Sequence, residues 1–206
     1  RLGTAAVPDD LTGFDAVIVA TGSSGLKHGW TMLHPEKWQG PPLPGADLPH
    51  VFSYTELLET EPDVGRRAVL FDTMGGRQGA VTAEYLARRG AEVIFVTQLG
   101  QPSPDLAASR DWGKVHGMLR KLGVLFKVDR ELTEITRNSV TIRDLYTGDT
   151  EALQDVDNVV MVVGSQAQDT LFHSLETTAR HLIGDAMAPR RVNDAIREGE
   201  LAARHL

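Results

Sequence analysis

Residues 69–98, VLFDTMGGRQGAVTAEYLARRGAEVIFVTQ, have the pattern of a strand, a glycine-rich turn, a helix and a second strand. A short apolar run that leads through glycines into a helical pattern is typical of a βαβ unit with parallel strands. Such strands are covered on both faces by other elements. We therefore predict an α/β fold with Rossmann-like three-layer architecture.

This segment departs from the glycine fingerprint of dinucleotide-binding units at two positions. Alignment of its helix places Gly79 at the third glycine and Gly76 at the second, but Met74 at the first. Gly79 would allow close packing of helix on strand, and Gly76 would let the backbone approach a pyrophosphate. The second strand ends in Thr97 instead of an acid for ribose hydroxyls, and no arginine follows for a 2′-phosphate. The unit is therefore either a structural relic or an NAD(P) site.

Hydrophobic patterns predict further elements on both sides of this unit. Apolar runs indicate buried strands, and alternation with turn signals indicates an antiparallel hairpin or meander. Strands are predicted at residues 68–72, 92–97 and 124–128, and strands that end in a glycine turn at 14–25 and 156–168. Helices are predicted at 53–59, 78–89 and 112–122, and the hairpin at 131–149. Residues 182–206 are predicted to form a strand, a turn and a final helix.

Two of these segments lead to finer expectations. The five apolar residues 16–20 predict a strand that is covered on both faces, as in a parallel sheet. Residues 26–49 contain many prolines and predict an irregular connector, which Trp30 and Trp38 would anchor to the body. Residues 15–23 (DAVIVATGS) also resemble residues 157–165 (DNVVMVVGS), as if two related domains each ended in this way.

Composition restricts the class of function. A formal charge of −7 argues against nucleic acid or an anionic membrane as the main partner. The chain has no cysteine, which excludes a disulfide scaffold, a cysteine nucleophile and a cysteine-bound metal or iron–sulfur site within it, and fits a cytoplasmic protein. His28 and His34 lack a third ligand nearby in sequence, so we expect no metal site. Trp112 at a helix start is expected to pack and not to stack on a ligand.

Several motifs occur in an order that resembles a known family. ATGS (residues 20–23), the altered βαβ fingerprint, VVGS (162–165) and IGDAMAPRRVNDAIREG (183–199) resemble flavoprotein reductases with two dinucleotide-binding domains. With PLPGADLPHVFSYTELLE (42–59), the chain is similar to the C-terminal part of the trimethylamine, dimethylamine and histamine dehydrogenase group. That group belongs to the NADH:flavin oxidoreductase family, which includes 2,4-dienoyl-CoA reductase.

The resemblance implies a domain organisation and cofactors. Residues 1–50 and 166–206 would be part of an FAD- or ADP-binding-like domain, and residues 51–165 an inserted NAD(P)-binding-like domain. A TIM barrel with FMN, a 4Fe–4S cluster and the first βαβ unit of the FAD-like domain would lie outside this chain. The start without Met fits a piece of a longer protein, with a trimmed native N-terminus as the alternative.

The resemblance also implies residues that bind FAD or ADP. In GDAMAPR, Asp185 would contact the flavin or ADP, with Gly184 and Ala188 beside it, and Pro189 would suit the first turn of the final helix. The alternative is that Asp185 only caps that helix. Ala20, Thr21 and Gly22 would let the chain pass close to the adenosine, or they form a plain turn that needs Gly22 at positive φ.

Three functions compete at this point. The first is a nucleotide-free structural module of a flavin-dependent amine dehydrogenase or demethylase that keeps an ADP or FAD platform. The second is an NAD(P)H-binding reductase module that passes hydride to FAD. The third is a docking platform for an electron-transferring flavoprotein or a sister subunit, a homodimer included. We expect no catalytic residue in this chain, because substrate and FMN would bind in the barrel.

Overall fold

The structure is a computed structural model that describes residues 2–29, 31, 34, 40–176 and 179–206. The anchoring roles predicted for Trp30 and Trp38 lie outside the described residues. The chain divides into two compact units. Unit 1 comprises Arg1–Ser24 and Ser165–Leu206, and unit 2 comprises Gly25–Gly164. Residues 22–23 and 164–165, the Gly-Ser pairs that end the two similar segments, therefore lie next to the points where the chain passes between the units.

The elements are numbered along the chain. The strands are β1 (Val17–Val19), β2 (Ser23–Gly25), β3 (Val51–Ser53), β4 (Arg67–Asp72), β5 (Glu92–Thr97), β6 (Leu125–Lys127), β7 (Arg130–Ile135), β8 (Ser139–Asp144), β9 (Thr150–Gln154), β10 (Asn158–Val162), β11 (Ser165–Ala167) and β12 (Arg180–Leu182). The helices are α1 (Tyr54–Thr60), α2 (Arg77–Arg88), α3 (Trp112–Lys121), α4 (Thr170–Ser174) and α5 (Val192–Arg204).

Unit 2 has three layers around a parallel sheet in the order β3-β10-β4-β5-β6. Side chains alternate between the two faces of each strand. Along β4, Ala68 and Leu70 pack with α1, α2 and α3, whereas Val69 and Phe71 pack with the antiparallel sheet β7-β8-β9. Because both faces are covered, β10 is buried at every position. The predicted Rossmann-like α/β fold is confirmed.

Local sequence signals account for much of unit 2. The short helix α1 begins after Ser53, whose hydroxyl accepts from the Glu56 backbone N–H (3.2 Å) while the Glu56 carboxylate accepts from the Ser53 N–H (2.8 Å). This reciprocal pair is a capping box. Ser53 is therefore the N-cap of α1. The predicted hairpin extends beyond residue 149 into β9.

Unit 1 is smaller and is built on β1 paired in parallel with β12. Val17 and Val19 are buried, but Ile18 between them is 38% exposed. The prediction that this strand is covered on both faces is therefore wrong for the described residues, because β1 belongs to a sheet of two strands with one packed face. Pro189 also precedes α5 and is not in its first turn, since the helix begins at Val192.

Two further points concern the whole described chain. The assignment of residues 1–50 and 166–206 to an FAD-like domain, and of residues 51–165 to an NAD(P)-like domain, stays a prediction. None of the helices among the described residues has the length and apolar character that crossing a membrane requires.

Candidate functional site

The carboxyl ends of β1 and β12 form one edge of unit 1. The two strands are in register from Val17 opposite Arg180 to Val19 opposite Leu182, and the Ile183 N–H donates to the Val19 carbonyl (3.0 Å). The chain after each strand therefore emerges at the same edge, where parallel α/β sheets bind ligands. The predicted site residues at this edge are Ala20, Thr21, Gly22, Gly184, Asp185 and Ala188.

Asp185 joins the two turns at this edge. Its Oδ2 atom accepts a hydrogen bond from the Ser23 hydroxyl (3.1 Å), and its Oδ1 atom accepts from the Arg190 backbone N–H (3.2 Å). An ionised carboxylate has about four acceptor positions, so these two bonds leave capacity for ligand hydroxyls. Asp185 is half-buried and does not cap α5, because the N-cap of that helix is Arg191 and the N–H that Asp185 accepts from belongs to Arg190, which lies before it.

The turn after β1 is held by Gln168. Thr21 donates its hydroxyl proton to the Gln168 carbonyl, and the Gln168 N–H donates to the Gly22 carbonyl (2.9 Å). Gly22 has φ +78°, and a Cβ atom there would meet no atom within 4 Å. The glycine is thus needed for the turn, and the space beside it is open. Ala20 is exposed next to it.

The turn after β12 is held by α5. The Gly184 N–H donates to Glu198 Oε2 (2.7 Å), and Glu198 also pairs with the Arg190 guanidinium. Ala188 closes the turn with a bond from its N–H to the Gly184 carbonyl (3.2 Å). Ser23 and Glu198, which support this edge, were not among the predicted residues. Glu198 lies fourteen positions after Gly184, and nothing in the sequence signals a hydrogen bond between the two.

The glycine-rich loop of unit 2 follows β4 and is organised by Asp72. This side chain is fully buried, and its Oδ1 atom accepts from the backbone N–H groups of Met74 (2.8 Å) and Gly75 (3.1 Å). Gly75 has φ +68°, and a Cβ atom there would lie 2.6 Å from Leu99 Cδ1. Gly75 therefore makes the tight turn that a glycine at position 74 would make in the fingerprint, and Met74 is half exposed.

Gly79 lies in the first turn of α2 directly against Asp72. A Cβ atom at Gly79 would lie 2.3 Å from Asp72 Oδ2 and 3.0 Å from Phe95 Cζ. The predicted close packing of helix on strand at Gly79 is present. Gly76 is the N-cap of α2 and is partly exposed, so it lies where the fingerprint needs it. Binding of a cofactor by these two glycines stays a prediction.

The electrostatics of the loop are set by burial. Burial raises the pKa of the Asp72 carboxyl from 3.8 to about 6, although its bonds from Met74 and Gly75 act in the opposite direction and Asp105 adds to the rise. Asp72 Oδ2 has no hydrogen-bond partner. Thr97 at the end of β5 is also fully buried, and its hydroxyl accepts from the Leu99 N–H (3.2 Å). Its side chain is therefore closed to ribose hydroxyls.

The other residues singled out in the sequence, His28, His34 and Trp112, have contacts within unit 2. Within the described part of the chain, no group of three or more histidine and acidic side chains could hold a metal ion. Burial lowers the pKa of His28, and His34 Nε2 lies 3.0 Å from the Glu131 carboxylate. Trp112 packs on His116 with 4.1 Å between ring centres, in agreement with the packing role predicted for it.

Residues 7–188 match the family described as pyridine nucleotide-disulphide oxidoreductase. The dimethylamine dehydrogenase of Hyphomicrobium sp. (strain x) is 23% identical over 96% of this chain and 30% of its own length. These matches cover both the edge of unit 1 and the loop of unit 2.

Two solved structures are similar throughout the chain. Histamine dehydrogenase from Rhizobium sp. 4-9 is 28% identical, with a TM-score of 0.89 over 98% of this chain and 32% of that one. The 6-hydroxypseudooxynicotine amine oxidase from Pseudomonas geniculata N1 is 29% identical, with a TM-score of 0.89 over 97% of this chain and 30% of that one. The predicted resemblance to the amine dehydrogenase group is confirmed, and the chain spans about a third of these relatives' length.

Proposed function

The chain belongs to the pyridine nucleotide-disulphide oxidoreductase family, and on this basis we propose that it is the nucleotide-binding-like part of a flavin-dependent oxidoreductase of the amine dehydrogenase type. In this proposal the edge of unit 1 is a platform for ADP or for the ADP portion of FAD. Unit 2 is a scaffold that binds no pyridine nucleotide.

The observation that carries the platform proposal is the hydrogen bond between Ser23 and Asp185. It ties the turns after two paired parallel strands to each other. Asp185 would accept bonds from ribose or ribityl hydroxyls with its free lone pairs, and the open space beside Gly22 suits an approaching adenosine. Gly184 and Ala188 would keep the Asp185 turn in place. Bound FAD would supply the capacity to accept and pass on electrons.

The scaffold proposal for unit 2 rests on how its loop uses its own polar groups. The N–H groups of Met74 and Gly75 are taken by Asp72, and the Thr97 hydroxyl is taken by Leu99. The competing proposal is an NAD(P)H site that delivers hydride to FAD. It is supported by Gly76 at the N-terminus of α2 and by the family, whose description refers to pyridine nucleotides.

The activity of a whole protein of this kind is part of the proposal. Substrate oxidation on FMN would take place in a TIM barrel of the same polypeptide, next to a 4Fe–4S cluster, and electrons would leave to an electron-transferring flavoprotein. A homodimer is the other assembly in this proposal. The dehydrogenases of dimethylamine and histamine among the relatives support an amine as the substrate class. A role of this negatively charged chain in docking a partner would be added to, and not replace, the platform.

Replacing Asp185 by alanine is expected to weaken ADP binding to the chain about tenfold or more, since hydrogen bonds to a charged group contribute about 1.5–3 kcal/mol each. Calorimetric titration of wild type and variant with ADP measures the two dissociation constants. Circular dichroism shows whether the variant is folded.

The matched control for this experiment is Asp15→Ala. Asp15 is exposed and precedes β1, so it lies at the amino end of the strand whose carboxyl end carries the site. The Asp15 variant removes the same charge from the same unit and should leave ADP binding unchanged. Equal weakening by both variants, or no ADP binding by the wild-type chain, contradicts the platform proposal.

A further inference from the structure

The loop between β4 and α2 is occupied by a side chain of its own unit. In glycine-rich loops, backbone N–H groups near the helix N-terminus bind phosphate oxygens. Here Asp72 Oδ1 accepts from the N–H groups of Met74 and Gly75, which lie in the loop directly before Gly76, the N-cap of α2, with N···O distances of 2.8 and 3.1 Å. The carboxylate thus takes the place in the hydrogen-bond pattern that an anionic ligand would take.

The surroundings of the loop keep this arrangement in place. Gly75 is buried against Leu99 and Pro104, and its carbonyl accepts from the Asp105 N–H (3.1 Å). Asp105 also places a second carboxylate near that of Asp72. A diphosphate that approached the loop would therefore meet two donors already in use and two charges of its own sign.

We infer that Asp72 is a specificity-determining residue that keeps the pyrophosphate of a dinucleotide out of unit 2 by occupying the amides of the loop. The inference deepens the proposed function, because it names the residue on which the nucleotide-free state of unit 2 depends. Met74 and Thr97, the two departures visible in the fingerprint, are secondary in this account. The ligand class that the loop would take without Asp72 is a nucleoside diphosphate such as the ADP half of NADH.

Every variant in this test also carries Asp185→Ala, so that binding of NADH to the edge of unit 1 is weakened and does not mask binding to the loop of unit 2. In this background Asp72→Ala frees both amides, whereas Asp72→Asn removes the charge but keeps an Oδ1 acceptor for them. We expect the alanine variant to bind NADH about tenfold or more tightly than the background chain, since the freed amides can then donate to a charged phosphate. The asparagine variant should match the background.

Calorimetry gives the affinities, and amide NMR spectra show whether residues 73–79 respond. Absence of any gain in a folded Asp72→Ala variant overturns the inference, and so does an equal gain in the asparagine variant, because charge alone would then explain exclusion. These outcomes leave the platform proposal intact, since that proposal is tested separately by ADP binding to the wild-type chain and to the Asp15 and Asp185 variants.

A measurement on the wild-type chain tests the inference without any substitution in the loop. The amides of Met74 and Gly75 are expected to be protected from hydrogen exchange, and added NADH should leave their protection unchanged. If both amides exchange as freely as an exposed loop and become protected when NADH is added, the loop is an open ligand site and the inference is wrong.

Discussion

Replacing Gly79 by alanine is expected to destabilise unit 2 by about 1–3 kcal/mol, the range for an extra methyl group forced into a packed core. The new Cβ atom would lie 2.3 Å from Asp72 Oδ2 and 3.0 Å from Phe95 Cζ. Both neighbours are fully buried and cannot move into solvent. Urea unfolding of wild type and variant measures the change in the free energy of unfolding.

Gly117→Ala is the matched control. Gly117 lies inside α3, and a Cβ atom there would meet nothing within 4 Å. The substitution should stabilise the chain by about 1 kcal/mol, because alanine is the better helix former. A Gly79 variant as stable as wild type would contradict the close packing of α2 on β4.

The contact can be isolated by adding Asp72→Ala to the Gly79 variant. Removal of the carboxylate makes room for the new methyl group, so the loss caused by Gly79→Ala should be smaller in the double variant. We expect a coupling energy of about 1 kcal/mol or more, as for residues in direct contact. Additive effects would show that Asp72 is not the obstacle.

The second large effect is a dependence of stability on pH that comes from Asp72. Burial raises the pKa of this carboxyl to about 6 in the folded chain, compared with 3.8 for an ordinary aspartate. The folded chain therefore holds the proton more tightly than the unfolded chain. This contribution to stability is present at low pH and is lost as the pH rises through the window from 3.8 to about 6.

The expected size of the loss is about 3 kcal/mol, since one pKa unit corresponds to about 1.4 kcal/mol. Asp72→Asn removes the titration, so the difference in unfolding free energy between wild type and variant should change by this amount between about pH 3 and about pH 8. Burial of His28, which lowers its pKa, acts in the opposite direction near neutral pH but is common to both proteins. A difference that stays constant with pH would contradict a raised pKa of Asp72.

Much of unit 2 could be predicted from sequence because its signals are local. The strands β4 and β5 and the helix α2 begin and end within one residue of their predicted positions, since apolar runs and Gly90 mark their ends. The packing role of Gly79 followed from the fingerprint. The role of Asp72 did not, although an acid at the end of the apolar run AVLFD was a visible signal that its side chain would be buried.

The site in unit 1 was predictable only in part. The motifs ATGS and GDAMAPR were identified, but the bond from Ser23 to Asp185 joins positions 162 residues apart, and only the parallel pairing of β1 with β12 brings them together. The exposure of Ile18 was also missed, because an apolar run does not tell how many faces of a strand are covered. Tertiary context decides both features.

The central claim is that the edge of unit 1 binds the ADP group and that the loop of unit 2 binds no nucleotide. Titration of the wild-type chain with ADP, FAD, NADH and NADPH, followed residue by residue through amide NMR signals, tests it most directly. The account predicts saturable changes at residues 20–23 and 184–188, since all four ligands contain ADP or its 2′-phosphate, and none at residues 74–79. Saturable changes at Gly76 and Gly79 on addition of NADH or NADPH would contradict it and would favour the reductase function.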